Sequence, residues 1–335
     1  MRARIYSLVA ALLALNVAAW ALAAAAFWSH PVLLGTALLA FTFGLRHAVD
    51  ADHICAIDNV TRKLVQEGRR PIGVGFFFSL GHSTVVVALS VAIAVGAVFV
   101  KAHLPALSTL GALVGASVSS AFLLIVAAIN FFVLLEIFAA FARVRRGEPL
   151  EEEGLGAMLD RRGLLGRCFR PLLKLVDRSW KMYPVGLLFG LGFDTATEVA
   201  LLGIAAAQAG KGLPVFAILL FPLLFTAGMS LIDTADGIVM VGAYGWAFVK
   251  PMRKLYYNLV ITLVSVLVAA IVGTIEATSA IADRLQLSGA VWDAIRAVNE
   301  NFGTLGFVIV GLFLASWLVS VGVYKLLRYD ELRVM

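Results

Sequence analysis

Three histidines and a set of acids stand where an apolar sequence should not hold them. Arg46-His47-Ala48-Val49-Asp50-Ala51-Asp52-His53, with Asp58 just beyond, lies in one long apolar stretch, and Ser79-Leu80-Gly81-His82-Ser83-Thr84 lies in the next. Two later stretches carry Gly192-Phe193-Asp194-Thr195-Ala196-Thr197-Glu198 and Gly228-Met229-Ser230-Leu231-Ile232-Asp233-Thr234-Ala235-Asp236-Gly237. An ionisable group at the centre of a membrane helix costs at least ~2.5–3.5 kcal/mol, so such groups mark function. Neutral imidazole suits nickel, cobalt, zinc and copper, whereas calcium and magnesium sites are built from oxygen alone. The chemistry indicated is a divalent transition metal held inside a membrane, with His47, Asp50, Asp52, His53 and His82 as candidate ligands. His30 and His103 sit at expected external ends and read as solvated.

Helical geometry constrains that set. At about 100° per residue, with His47 as zero, Asp50 falls near about −60° and His53 near about −120°, whereas Asp52 falls near about +140°. An unbroken helix cannot aim His47, Asp52 and His53 at one ion. Either the helix is interrupted, with Gly44 helping the break, or Asp52 orients a ligand histidine from behind. Spacing leaves both open. Asp194 and Glu198 are i, i+4 and share a face, as do Asp233 and Asp236 at i, i+3. Gly192, Gly228 and Gly237 beside them would allow close packing or local unwinding.

With Arg46, Asp58 and Thr195, these acids are expected to line the pathway or support the ligands. The alternative is a hydrogen-bond network that only holds helices together. Arg46 offsets one negative charge, and a passing cation or bound protons must balance the rest. Asn130 and Glu136 could face the same cavity, but six residues apart they sit on different sides of a straight helix. Asn16 either approaches the site or bonds two helices. Val49 and Asn16 are the candidates for selectivity, and Cys55 reads as a small apolar filler.

The elements that must position these residues are membrane spans. The chain has 335 residues, 61% of them hydrophobic and 14% charged, against about 25% charged in a soluble domain. With ~20 apolar residues needed per crossing, eight spans are expected, at about 5–28, 32–58, 72–100, 109–141, 184–209, 214–247, 257–280 and 303–327. Lys and Arg number 22 in the segments that would be cytoplasmic with the N-terminus inside, and 4 in the external ones. This favours both termini in the cytoplasm. The expected architecture is therefore an all-α integral membrane protein, one transporter domain over 1–335 with a cytoplasmic loop at 142–183.

The basic residues fall in short segments between spans, the pattern of topology signals rather than of a nucleic-acid surface. The stretch up to Trp28 is long enough to span and is read as a retained first helix, not a cleaved signal. Cys55 and Cys168 lie in different segments and give no disulfide framework. Within the loop, Leu164 to Trp180 is either an amphipathic helix on the inner leaflet or a basic linker that fixes topology.

Leu45 to Ile54 resembles the second-helix signature of the nickel/cobalt transporter family (NiCoT), His, four residues, Asp-His. Phe78 to Val86, Leu191 to Glu198 and Gly228 to Gly237 resemble that family's other three motifs, in order. The resemblance covers most of the chain. It implies high-affinity uptake of Ni²⁺ or Co²⁺ across the bacterial cytoplasmic membrane. It further implies that His47, Asp52 and His53 are needed for transport, supported by His82 and the acids of the other motifs.

Other classes fit less well. Di-iron desaturases need more histidines, and site-2-type proteases need HExxH, which is absent. No GxxxxGK[ST] loop occurs, so the chain is not by itself a primary pump. No enzyme activity, no cofactor beyond the transported ion and no ATPase subunit are expected, and the partners are the metal ion and the bilayer. The nearest rival is efflux of the same metals. Efflux relatives usually carry a histidine-rich loop, and 142–183 contains no histidine.

Overall fold

In the computed structural model the backbone is described for residues 2–95, 97–146, 176–191, 196–247 and 251–326. All regular structure there is helical. In chain order the helices are α1 (Arg2–Phe27), α2 (Pro31–His47), α3 (Ala51–Gln66), α4 (Val74–Val95) and α5 (Ala97–Arg145). After a short 3-10 turn at Ser179–Lys181 come α6 (Met182–Phe189), α7 (Ala196–Gly210), α8 (Val215–Ile218), α9 (Leu220–Ala247), α10 (Pro251–Arg284), α11 (Ala290–Glu300) and α12 (Phe302–Leu326). Prolines open α2 and α10, where a missing N–H costs no hydrogen bond.

Among the described residues, six helices are long and apolar enough to cross a membrane, and α2 with α3 makes a seventh if the bent pair is one span. The remaining expected span, 184–209, is divided between α6 and α7. Two helices run past the expected span bounds. The expected span at 109–141 belongs to one helix that already begins at Ala97. Past residue 58, α3 continues to Gln66 with Arg62 fully buried. Arg62 is therefore not a loop charge. The run from Leu164 lies, up to residue 175, outside the described residues.

The buried faces follow the polarity of each helix. α1 leaves most of its apolar surface outward, as lipid contact allows, and buries Leu12, Ala19, Ala23 and Phe27. α3 is the opposite case, with a polar sequence and nearly every residue buried. Burying such a helix requires that its polar groups find partners. Asp58 accepts hydrogen bonds from Tyr244 and from Ser265 Oγ, the latter at 2.8 Å. Arg62 donates to Asn59 Oδ1 at 3.0 Å and to Thr262 Oγ1 at 3.1 Å, and Asn130 Nδ2 donates to Asn59 Oδ1 at 2.7 Å. α3 is thus the polar core, enclosed by α4, α5, α9, α10 and α12.

Candidate metal centre

The chain turns by 52° between α2 and α3. Ala48 and Val49 continue as turns, with N–H groups bonded to the Gly44 and Arg46 carbonyls, and Asp50 is then extended at φ −65° and ψ 147°. The break brings His47, last in α2, against His53 in the first turn of α3, ring centroids 4.6 Å apart. His82, in the middle of α4, closes the triangle at 4.7 Å from His47 and 4.9 Å from His53. One nitrogen of each ring lies within 4.8 Å of the other two. The carbonyl end of α2 points here, which favours a cation.

Acids complete the cluster from the other half of the molecule. Glu198 Oε1 is 2.8 Å from His82 Nε2 and 3.8 Å from His47 Nε2, and the two Nε2 atoms are 2.9 Å apart. Asp233 Oδ2 is 3.5 Å from His53 Nδ1. At a metal–nitrogen bond of ~2.1 Å, ligands at right angles lie about 3.0 Å apart, so these separations suit donors around one ion. All five side chains are almost fully buried. Both nitrogens of His53, Nδ1 of His82 and both oxygens of Asp233 lack a hydrogen-bond partner. Unsatisfied buried groups in such number are costly unless a ligand engages them.

Behind His47, Asp50 Oδ2 lies 3.0 Å from Nδ1, and Arg46 Nη1 holds Asp50 Oδ1 at 3.0 Å. Thr197 Oγ1 is 3.4 Å from the same Nδ1. If Nδ1–H donates to Asp50, Nε2 keeps its lone pair toward the cluster, the usual arrangement of a metal-binding imidazole.

The sequence-based set divides here. His47, His53, His82, Asp50, Arg46, Glu198 and Asp233 converge. Asp52, next to His53 in the first turn of α3, is not among the three residues whose ligand atoms close on one another, although the break it would have required is present. Gly44 does not make that break. It lies inside α2, where a Cβ would meet the Phe225 carbonyl oxygen at 2.1 Å, so its role is close helix packing. Asp58 and Asn130 belong to the α3 network instead. Asp236, three residues along α9, has one oxygen without a partner. Asn16 Nδ2 donates to the Leu12 and Ala227 carbonyls at 2.9 and 3.3 Å, which ties α1 to α9. His30 is exposed and shares a hydrogen bond with Ser29, as expected. Asp194, Thr195 and the side chain of Glu136 lie outside the described residues.

Sequence reasoning passed over Thr197, although it stands inside a quoted motif, and over Glu276, a buried acid of α10 that accepts from Ser119 at 2.9 Å. It also gave no role to Gly303 and Gly306 of α12. A Cβ on Gly306 would stand 1.5 Å from the Val49 carbonyl oxygen, and one on Gly303 2.3 Å from the Arg46 guanidinium.

No solved structure matches the chain. A high-affinity nickel transport protein of Cupriavidus necator is 57% identical over 333 residues, covering 99% of this chain and 95% of its own. The high-affinity nickel-transport protein NixA of Helicobacter pylori strain J99 is 43% identical over 87% of this chain and 88% of its own. The cobalt transport protein NhlF of Rhodococcus rhodochrous is 41% identical over 94% of this chain and 91% of its own. Residues 33–323 match the family described as high-affinity nickel-transport protein, NicO, and the chain belongs to that family.

Proposed function

We propose that this chain is a secondary carrier that takes up Ni²⁺, Co²⁺ or both across the bacterial cytoplasmic membrane. In this reading the ion passes through the His47, His53, His82 and Glu198 cluster. The observation that carries it is the convergence of three buried imidazoles, from both sides of a helix break and from the next helix, on one point. Asp233 supplies a further oxygen. Asp50, held by Arg46, fixes the His47 ring, and Asp52 acts from beside the cluster.

The membrane potential suffices as driving force. A divalent ion gains ~2.3 kcal/mol per charge per 100 mV on moving inward, about 4.6 in total, which supports more than a thousandfold accumulation. The test is uptake of labelled nickel by cells expressing the chain, with unlabelled Co²⁺, Mg²⁺ and Ca²⁺ as competitors. Competition by Co²⁺ alone is expected, because imidazole donors disfavour hard ions. Equal competition by Mg²⁺ would remove the reading.

Two finer expectations follow from the geometry. Asp50→Asn leaves a hydrogen-bonding group beside His47 but no charge to hold its ring. The nickel concentration for half-maximal uptake should rise ~10–100-fold, as for other groups that orient a ligand. Unchanged uptake kinetics would show that Asp50 does not act through His47.

Val49 forms the break itself. Val49→Phe is expected to change the nickel-to-cobalt uptake ratio more than the amount of protein in the membrane, because Ni²⁺ and Co²⁺ are adjacent in intrinsic affinity and must be separated by geometry. An unaltered ratio in dual-isotope uptake would take Val49 out of selectivity. The same assay on Asn16→Ala tests whether the α1–α9 bond reaches the site.

A further inference from the structure

The close contacts of four helices pair up across the molecule. A Cβ on Gly44 of α2 would lie 2.1 Å from the Phe225 carbonyl oxygen of α9, and a Cβ on Gly186 of α6 would lie 2.0 Å from that of Phe78 in α4. Conversely, Gly228 of α9 abuts the Phe41 carbonyl and Leu45 N, while Gly81 of α4 abuts the Tyr183 carbonyl and Leu187 N. Each of these glycine contacts of α2 with α9 thus has a counterpart between α6 and α4. The step is constant, Phe41 to Tyr183, Gly44 to Gly186 and Leu45 to Leu187 on one side, Phe78 to Phe225 and Gly81 to Gly228 on the other. The rings obey it too. His47 packs on Phe225 with centroids 5.5 Å apart, and Phe189, its counterpart, packs on Phe78 at 5.2 Å.

Sequence and element order agree. Phe78-Ser79-Leu80-Gly81-His82-Ser83 lines up with Phe225-Thr226-Ala227-Gly228-Met229-Ser230. Each series opens with a divided element, α2 with α3 and α6 with α7, and continues through α4 or α9 to α5 or α10. His53 and Glu198 each stand third in the helix after the division, α3 starting at Ala51 and α7 at Ala196. His82 with Glu198 joins α4 to α7, and His53 with Asp233 joins α3 to α9, so the helices joined correspond, with Asp233 one turn beyond Met229, the residue that lines up with His82.

The counterparts run in opposite directions. Between α5 and α10, Phe141 meets Tyr256 at one end and Ser119 bonds Glu276 toward the other. Between α4 and α9, Ser79 bonds Ser230 at 3.0 Å, and a Cβ on Gly75 would meet the Asp233 carbonyl. A pseudo-twofold axis therefore crosses the bundle between α4 and α9, beside the histidines.

We propose that Pro31–Arg145 and Ser179–Arg284 are inverted-topology repeats, and that the carrier works by exchanging the packings of its two cross-repeat interfaces, α2–α9 and α4–α6. The physical ground is near-degeneracy. Two interfaces built on the same glycine-to-carbonyl contacts in opposite orientation can swap a tight and a loose packing at small cost, which opens one face as the other closes. The site is held by both repeats, three imidazoles from one and Glu198 and Asp233 from the other, so it stays near the axis. α1, α11 and α12 lie outside the repeats. The inference deepens the carrier reading and rests on it for the transport step alone.

The test joins the repeats covalently. A Cβ on Gly73, just before α4, would lie 3.6 Å from Ser179 Cβ, just before α6, within the range of a disulfide. In a Cys168→Ser background, Gly73→Cys with Ser179→Cys should take up labelled nickel when reduced, lose that uptake when oxidised, and regain it with reductant. The oxidised protein should still bind nickel. Undiminished uptake in the cross-linked protein overturns the exchange, and failure to cross-link overturns the packing behind it.

Should the reduced pair be inactive, labelling decides. An impermeant maleimide should reach Ser29→Cys, before α2, and Arg178→Cys, before α6, from opposite faces of the membrane. Labelling from one face overturns the inversion. A parent chain that takes up no nickel counts against the carrier reading, while the labelling still tests the repeats.

Discussion

His82→Ala should abolish nickel uptake, to the level of cells lacking the protein, while His30→Ala leaves it unchanged. His82 supplies the one imidazole of α4 in the cluster, and its Nε2 lies 2.9 Å from His47 Nε2 and 2.8 Å from Glu198 Oε1. It is the bridge between the α2–α3 break and the acid of α7. Alanine leaves two imidazoles on one side and a carboxylate on the other with nothing to connect them through a single ion. It also leaves Glu198 without its closest nitrogen in a dry site, where an unmatched charge is expensive. The loss should appear in equilibrium binding of nickel to purified protein as well as in transport, with the amount of protein in the membrane measured alongside. Uptake at the parent rate with His82→Ala would remove His82 from the site. His30, exposed and with its ring bonded to Ser29, controls for general effects of histidine loss.

The line between what could be read from sequence and what could not runs through particular residues. Intramembrane charge is so unfavourable that its mere presence exposed His47, His53, His82, Glu198 and Asp233. The angular conflict of Asp52 with His47 and His53 left two readings, an interrupted helix or an Asp52 that acts from behind, and the chain does break, at Ala48-Val49-Asp50. Direction was the weak point. Asp58 resembles the motif acids in sequence, yet five residues beyond His53 it turns to Tyr244 and Ser265.

Arg62 reads as a loop residue because hydropathy counts its charge and not its partners Asn59 and Thr262. Hydropathy also misjudges α3 as a whole, because a helix enclosed by other helices is not in contact with lipid. Glycines carry no chemical signal at all. Gly44 looked like a hinge and is a contact, whereas Gly306 has no marked context and stands against the hinge.

Gly306→Ala is accordingly expected to be the most damaging single change outside the metal cluster. Its Cβ would stand 1.5 Å from the Val49 carbonyl oxygen and 2.7 Å from the carbonyl carbon, and both are backbone atoms that cannot rotate away. Either α12 moves off the break, or Val49 abandons the turn that lets Asp50 extend and α3 begin. Overpacking of a tight interior commonly costs ~1–3 kcal/mol, and a backbone-to-backbone overlap lies at the upper end or beyond. The first response lowers thermal stability, and the second moves His53 away from His47 and so weakens nickel binding. In both cases uptake should fall to background. Gly311→Ala is the matched control, five residues along the same helix with nothing within 4 Å of its Cβ. It should keep uptake and melting temperature, or raise the latter slightly through better helix propensity. Melting of the two detergent-solubilised variants, read with and without nickel, separates the outcomes. A Gly306→Ala protein with parental melting temperature, nickel binding and uptake would mean that α12 does not hold the break.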